Sequence, residues 1–165
     1  MTEQEKNIVQ VYGIPRSGTN FVEWSLVNNF VNLEYKNIYI DLPANKLLFK
    51  TNIVKHQYPS FDYSDYVVVI YKKFENSQKS YSKWSGRREP LSRELYDEYL
   101  LKARTLSPRK TIIFEHSWLV DNYQKGMEQI SNKFDLKLKD QITQPLNRMN
   151  KAGALAQQTH RRYQR

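Results

Sequence analysis

The segment Gly13-Ile14-Pro15-Arg16-Ser17-Gly18-Thr19-Asn20 carries the strongest chemical signal in the chain. It follows the β-branched and aromatic run Asn7–Tyr12 and precedes a stretch with helical apolar spacing, at Phe21, Trp24, Leu26 and Phe30. A strand-to-helix turn of this kind aims backbone N–H groups and the positive end of a helix dipole at one point, which suits an anion. The two glycines keep the Gly-x-x-x-x-Gly spacing of a nucleoside-triphosphate loop, but that motif continues with Lys and then Ser or Thr. Here Thr19 and Asn20 stand in those places. The lysine for the β and γ phosphates is missing, as is the magnesium-binding hydroxyl in its usual position. An ordinary ATPase or GTPase is therefore disfavoured. The alternative for the segment is a tight Gly-Pro turn capped by Ser17 or Thr19.

Tyr12 to Thr19 resembles the 5′-phosphosulfate loop of the sulfotransferases that use 3′-phosphoadenosine 5′-phosphosulfate (PAPS). In that family an aromatic and Pro precede Lys or Arg, then Ser-Gly-Thr, often with Thr and an aromatic after it. Asn20 replaces the second threonine, and Phe21 takes the aromatic place. The resemblance implies that Gly13, Pro15, Ser17, Gly18, Thr19, Asn20 and Phe21 form the cofactor-binding loop. Backbone groups and Thr19 would hold the 5′-phosphate, and Arg16 would face the bridging oxygen and the sulfuryl group.

A second family motif is a buried strand, a basic residue, and a serine eight residues later, which bind the 3′-phosphate. Tyr66–Tyr71 runs into Lys72, and Ser80 follows at that spacing. Lys72 replaces the commoner arginine, and Phe74 stands where the family often has proline. A third stretch, Thr111 to Leu119 and the helix after it, resembles the family's late strand and helix. The resemblance runs from about Asn7 to Leu136. It further implies a basic, glycine-containing loop over the 3′-phosphate, for which Arg148 and Lys151 are the candidates.

Sulfuryl transfer requires an in-line nucleophile, a base, and cations at the leaving oxygen; it requires no metal. The chain has three histidines: His56, His116 and His160. In the family a Lys-x-His-x-Pro or Lys-His segment carries the general base. Lys55-His56 fits the second register, whereas the first would put Gln57 in the base position. His56 is the candidate base, with Lys55 and Arg16 as sulfuryl-stabilising cations. His116, beside Glu115, reads as structural.

These residues need a scaffold. Asn7–Tyr12, Asn52–His56, Tyr66–Tyr71 and Thr111–Phe114 read as strands, with short strands in Tyr35–Lys50. The unbroken apolar run of Tyr66–Tyr71 suits a parallel strand buried on both faces. Phe74–Trp84, Ser92–Arg104 and Trp118–Phe134 read as helices. Ser92 is the expected N-cap of the second of these, with Leu95, Tyr99 and Leu100 as its apolar stripe. The alternation predicts a three-layer α/β domain of P-loop type, with a mainly parallel sheet flanked by helices. That domain spans residues 1–140. Residues 141–165 contain no acid but hold Arg148, Lys151, Arg161, Arg162 and Arg165. This basic C-terminal segment either folds over the cofactor or is disordered.

The chain has 165 residues, no cysteine and a formal net charge of +9. Absent cysteine excludes a disulfide framework, a thiolate zinc site and a cysteine nucleophile. The charge points to an anionic partner. The expected partners are PAPS or its product PAP and an unidentified acceptor, whether a glycan, a protein or a small molecule. No apolar run predicts a membrane span, and no secretory signal is read at the N-terminus, so a cytoplasmic protein is expected. Two other readings stay open: a P-loop nucleotide kinase or NTPase, and a non-catalytic basic protein that binds nucleic acid or another partner. The latter draws on the charge, on seven phenylalanines, twelve tyrosines and three tryptophans, and on the acid-free tail.

Overall fold

The computed structural model describes residues 7–14, 17–31, 33–35, 51–54, 61, 64–85 and 90–145. Their elements run β1 (Asn7–Tyr12), α1 (Thr19–Asn29), β2 (Glu34–Tyr35), β3 (Thr51–Val54) and β4 (Tyr66–Tyr71). Then come α2 (Phe74–Ser85), α3 (Arg93–Arg104), β5 (Thr111–Glu115), α4 (His116–Asp121) and α5 (Tyr123–Phe134). The five strands form one sheet in the order β2-β3-β1-β4-β5, and every pairing is parallel.

Strand side chains alternate between two cores. Val9 and Val11 of β1, Val68 and Ile70 of β4, and Phe114 of β5 face α1 and α5. There they meet Phe21, Val22 and Leu26 on one helix and Met127, Ile130 and Phe134 on the other. Tyr12, Val67 and Val69 point the opposite way, against Ala103 and Tyr99 of α3. Val68 and Ile70 are completely buried, as an apolar strand covered on both faces should be. The expected three-layer α/β architecture is present.

Three elements differ from the sequence reading, each for a local reason. β5 is not a buried strand but the sheet's edge, and Ile113 on its uncovered face is 43% exposed. The long helix read from Trp118 is two helices broken at Asn122, whose backbone N–H and side-chain amide both bond the Trp118 carbonyl. An asparagine offers its backbone that alternative to helical continuation. In α3 the Ser92 hydroxyl caps the helix by accepting from the Leu95 N–H at 3.1 Å, as expected. Its buried residues, however, are Tyr96 and Ala103, and Leu95 lies on the exposed side.

Residues 135–145 return across the C-terminal end of α1. Phe30 and Leu138 form an antiparallel bridge. Beside it the buried Asn29 accepts from the Thr143 N–H at 2.7 Å, while its amide donates to the Thr143 carbonyl at 3.0 Å and to the Tyr123 hydroxyl at 2.7 Å. The Tyr123 hydroxyl in turn donates to the Thr143 carbonyl. Residues 141–145 of the acid-free segment are thus part of this packing; 146–165 lie outside the described residues, as do the short strands expected in 36–50.

Asn29→Ala strands several buried polar groups at once, each costing about 1–3 kcal/mol when left unpaired. Urea unfolding should show a loss of about 2–4 kcal/mol. Asn28→Ala, one residue away and bonded only locally to the Trp24 carbonyl, should cost about 0.5 kcal/mol.

Candidate functional site

In an open α/β sheet, ligands bind at the carboxyl ends of two neighbouring strands whose following connections leave in opposite directions. β1 leads by α1 to β2 on one side, and β4 leads by α2 and α3 to β5 on the other. The crevice is therefore between β1 and β4. Among the described residues, those at its rim are Gly13, Ile14 and Ser17 to Thr19 after one strand and Lys72 after the other.

The loop after β1 is built on two glycines. A Cβ on Gly13 would lie 2.5 Å from the Ile70 carbonyl oxygen and 2.6 Å from the Ser17 Oγ, so only a bare backbone fits against β4 there. Ser17 is buried, and its hydroxyl donates to that same carbonyl at 3.2 Å. Its N–H bonds the Ile14 carbonyl, closing the turn. Gly18 is the N-cap of α1 with φ 107° and ψ 17°, a left-handed conformation, and no side chain caps the helix. The alternative turn capped by Ser17 or Thr19 is therefore not the one formed, since the Ser17 hydroxyl is engaged with β4. Thr19 is buried, and Asn20 and Phe21 continue the first turn. Pro15 and Arg16 lie outside the described residues.

Lys72 leaves β4 at the same level. Its carbonyl is held by two groups that the sequence reading did not single out. The buried Ser77 hydroxyl donates to it at 3.2 Å, and the Tyr96 hydroxyl does so at 2.7 Å. Ser80 sits one turn further along α2 and is half-buried. His116, read as structural, proves to stand at the crevice. β4 and β5 pair with Tyr71 opposite Glu115, so the next residues, Lys72 and His116, leave neighbouring strand ends, and the Lys72 charge acts on the imidazole. The imidazole edge lies on the β1–α1 loop itself: a Cβ on Gly18 would be 2.5 Å from His116 Cδ2 and 3.3 Å from its Nε2. The Phe21 ring meets the imidazole edge-on at 5.5 Å. Burial, with Lys72 adding to it, pulls the His116 pKa down to about 4, so the ring is neutral at pH 7.

The structure thus brings Gly13, Ser17, Gly18, Thr19, Phe21 and Lys72 to one crevice and adds His116. Lys55, His56, Arg148 and Lys151 lie outside the described residues. Among the described residues no helix is long and apolar enough to cross a membrane.

Gly18→Ala combines a left-handed backbone with a Cβ driven into the imidazole. Chemical unfolding should show a loss of about 2–4 kcal/mol. Placing the same change in a His116→Ala background should recover the steric part and leave the backbone strain, a coupling that a double-mutant cycle measures.

No protein-family model matches the chain, and no curated protein does. Among solved structures it is similar to mouse sulfotransferase SULT7A1 complexed with PAP, at 9% sequence identity and a TM-score of 0.57. The match covers 91% of this chain and 64% of that one, so the chain spans a little under two thirds of that neighbour's length. At this identity the likeness is one of fold: a parallel sheet flanked by helices, in the α/β arrangement of a P-loop-type sulfotransferase.

Proposed function

We propose that this chain is a sulfotransferase that moves the sulfuryl group of PAPS to a hydroxyl or amine acceptor. The observation that carries the reading is the left-handed Gly18 turn at the β1–β4 crevice, with Lys72 on the facing strand end. The fold-level likeness to a protein complexed with PAP supports it.

In this reading the N–H groups of Gly18 and Thr19 and the start of α1 receive the 5′-phosphate of the donor. Lys72 and Ser80 receive the 3′-phosphate, Lys72 as a point charge without the fork of an arginine. Arg148 and Lys151 cover it. The acceptor oxygen or nitrogen attacks sulfur in line, and the bond between sulfur and the bridging phosphate oxygen breaks. His56 takes the acceptor's proton, and PAP leaves with the electron pair. Arg16 and Lys55 offset the charge that grows on the bridging and sulfuryl oxygens.

Thermal melting tests the donor site. PAP should stabilise the protein without magnesium, by about 2.7 kcal/mol at a hundredfold excess over Kd. ATP with magnesium, or a short oligonucleotide, should do markedly less. In Lys72→Ala/Ser80→Ala the preference for PAP over adenosine 5′-phosphate should disappear. A parent protein indifferent to PAP, but stabilised by the oligonucleotide, would make the basic binding protein the better account.

Turnover of labelled PAPS on an acceptor panel tests the base. His56→Ala should lower it by about 10²–10⁴-fold while PAP affinity changes little, because a proton acceptor acts in the transition state. Full activity in that variant would assign the proton to another group.

A further inference from the structure

We infer that His116 is a further ligand of the oxyanion held at the loop, and that it takes up a proton when the anion binds. The inference rests on the reading that the Gly13–Thr19 loop receives a phosphate or sulfate group. What it adds is a group that nothing in the loop's own sequence supplies.

The geometry comes from three elements that converge on the imidazole. From the loop, Gly18 presents its bare Cα to the Cδ2–Nε2 edge. From α1, Phe21 packs edge-on against the ring and fixes its plane. From β4, Lys72 emerges beside it through the Tyr71–Glu115 register. Among the described residues neither ring nitrogen has a hydrogen-bond partner. The Nε2 edge, which lies against Gly18 at the N-terminus of α1, thus has its hydrogen-bonding capacity unused by the protein.

The charged and titratable groups around the ring are few. Lys72 stands on the β4 side, with the exposed Lys73 after it. Glu115 precedes the histidine, and its carboxylate accepts from the Ser117 hydroxyl at 2.6 Å. Tyr123 of α5 lies behind Phe21; its pKa is pushed up to about 12, chiefly by burial, so it stays neutral. In the free protein, burial and the Lys72 charge disfavour an imidazolium. An oxyanion reverses that field, because an opposite charge within hydrogen-bonding reach raises a histidine pKa by about 1–3 units.

The sign follows from linkage. The free protein holds His116 neutral down to about pH 4. The anion-bound protein holds it protonated to a higher pH. Between the two values the complex carries more protons than its parts, so binding takes up protons and tightens as pH falls. Near neutral pH and above, both forms are neutral and affinity is flat.

Sulfate is the probe, because it carries no titratable proton in this range. Calorimetry in two buffers of different ionisation enthalpy counts the protons. A rise of two units predicts sulfate binding about tenfold tighter near pH 5 than near pH 7, with an uptake approaching one proton near pH 5. His116→Gln should remove that uptake and flatten the His116-dependent part of the pH profile. In the unmutated protein, the NMR titration of the His116 ring should move up by about a unit or more with saturating sulfate. This second measurement stands even where the variant folds poorly.

Sulfate binding with the same proton uptake in His116→Gln, or with no movement of the His116 titration, would overturn the inference and leave the loop as an anion site. No sulfate binding at all would overturn both. His116-linked uptake of sulfate in a protein that ignores PAP would uphold the inference and remove the sulfotransferase reading alone.

Discussion

Everything at the candidate site depends on how closely β1 can approach β4 where the two strands end. The Ile70 carbonyl sits where a Cβ of residue 13 would have to go, and the Ser17 hydroxyl closes on the same oxygen. A side chain at position 13 would push the strand ends apart and break that bond. With glycine there, the chain turns immediately and the next glycine takes the left-handed conformation that starts α1. The loop is therefore fixed by the strand it lies against as well as by its own Ser17–Ile14 hydrogen bond. Its shape belongs to the backbone.

This dependence also explains which parts could be read in advance. β4 was legible because an unbroken apolar run has few other uses in a chain of this charge, and β1 because a β-branched and aromatic run stops at a glycine; both strands end where the sequence says they should. The loop was legible because glycine spacing is itself the signal. The edge position of β5 was not, since Thr111-Ile112-Ile113-Phe114 looks the same in a central strand or at an edge; only the strand order decides. Nor was the break at Asn122, where one amide competes with helix hydrogen bonds amid an otherwise periodic pattern. The position of His116 was not legible for a related reason. Its neighbour in space is Lys72, forty-odd residues earlier, and only the register of β4 against β5 puts them side by side. The signal was present in principle: two parallel strands, each followed at once by a basic or titratable residue, at the same end of one sheet.

Lys72 shows how positioning is divided between side chain and main chain. Two hydroxyls, from Ser77 and Tyr96, are spent on its carbonyl oxygen rather than on its ammonium. They fix the direction in which the chain leaves β4, and through it the base of the lysine side chain. Tyr96 in turn packs against Phe74 at the start of α2. The second half of the crevice is thus held by α2 and α3 together, on the opposite face of the sheet from α1. On the proposed reading Lys72 meets an anion and benefits from such support, because orienting a cation before binding reduces the ordering cost at the moment of binding.

The other end of α1 has a different character. There Asn29, Tyr123 and Thr143 satisfy one another in a closed, buried set, and the chain after α5 is tied to the core through it. An eleven-residue helix separates this set from Gly18, a distance of about 16 Å at 1.5 Å per residue. Over that span, perturbations with no shared partner act independently. The polar groups at the amino-terminal end of the same helix are treated oppositely: Gly18 has no capping side chain, and the imidazole beside it has an unengaged edge. A fold gains nothing in stability from leaving a helix start uncapped next to a half-buried histidine. On the proposed reading, the groups left open are the ones an oxyanion would complete.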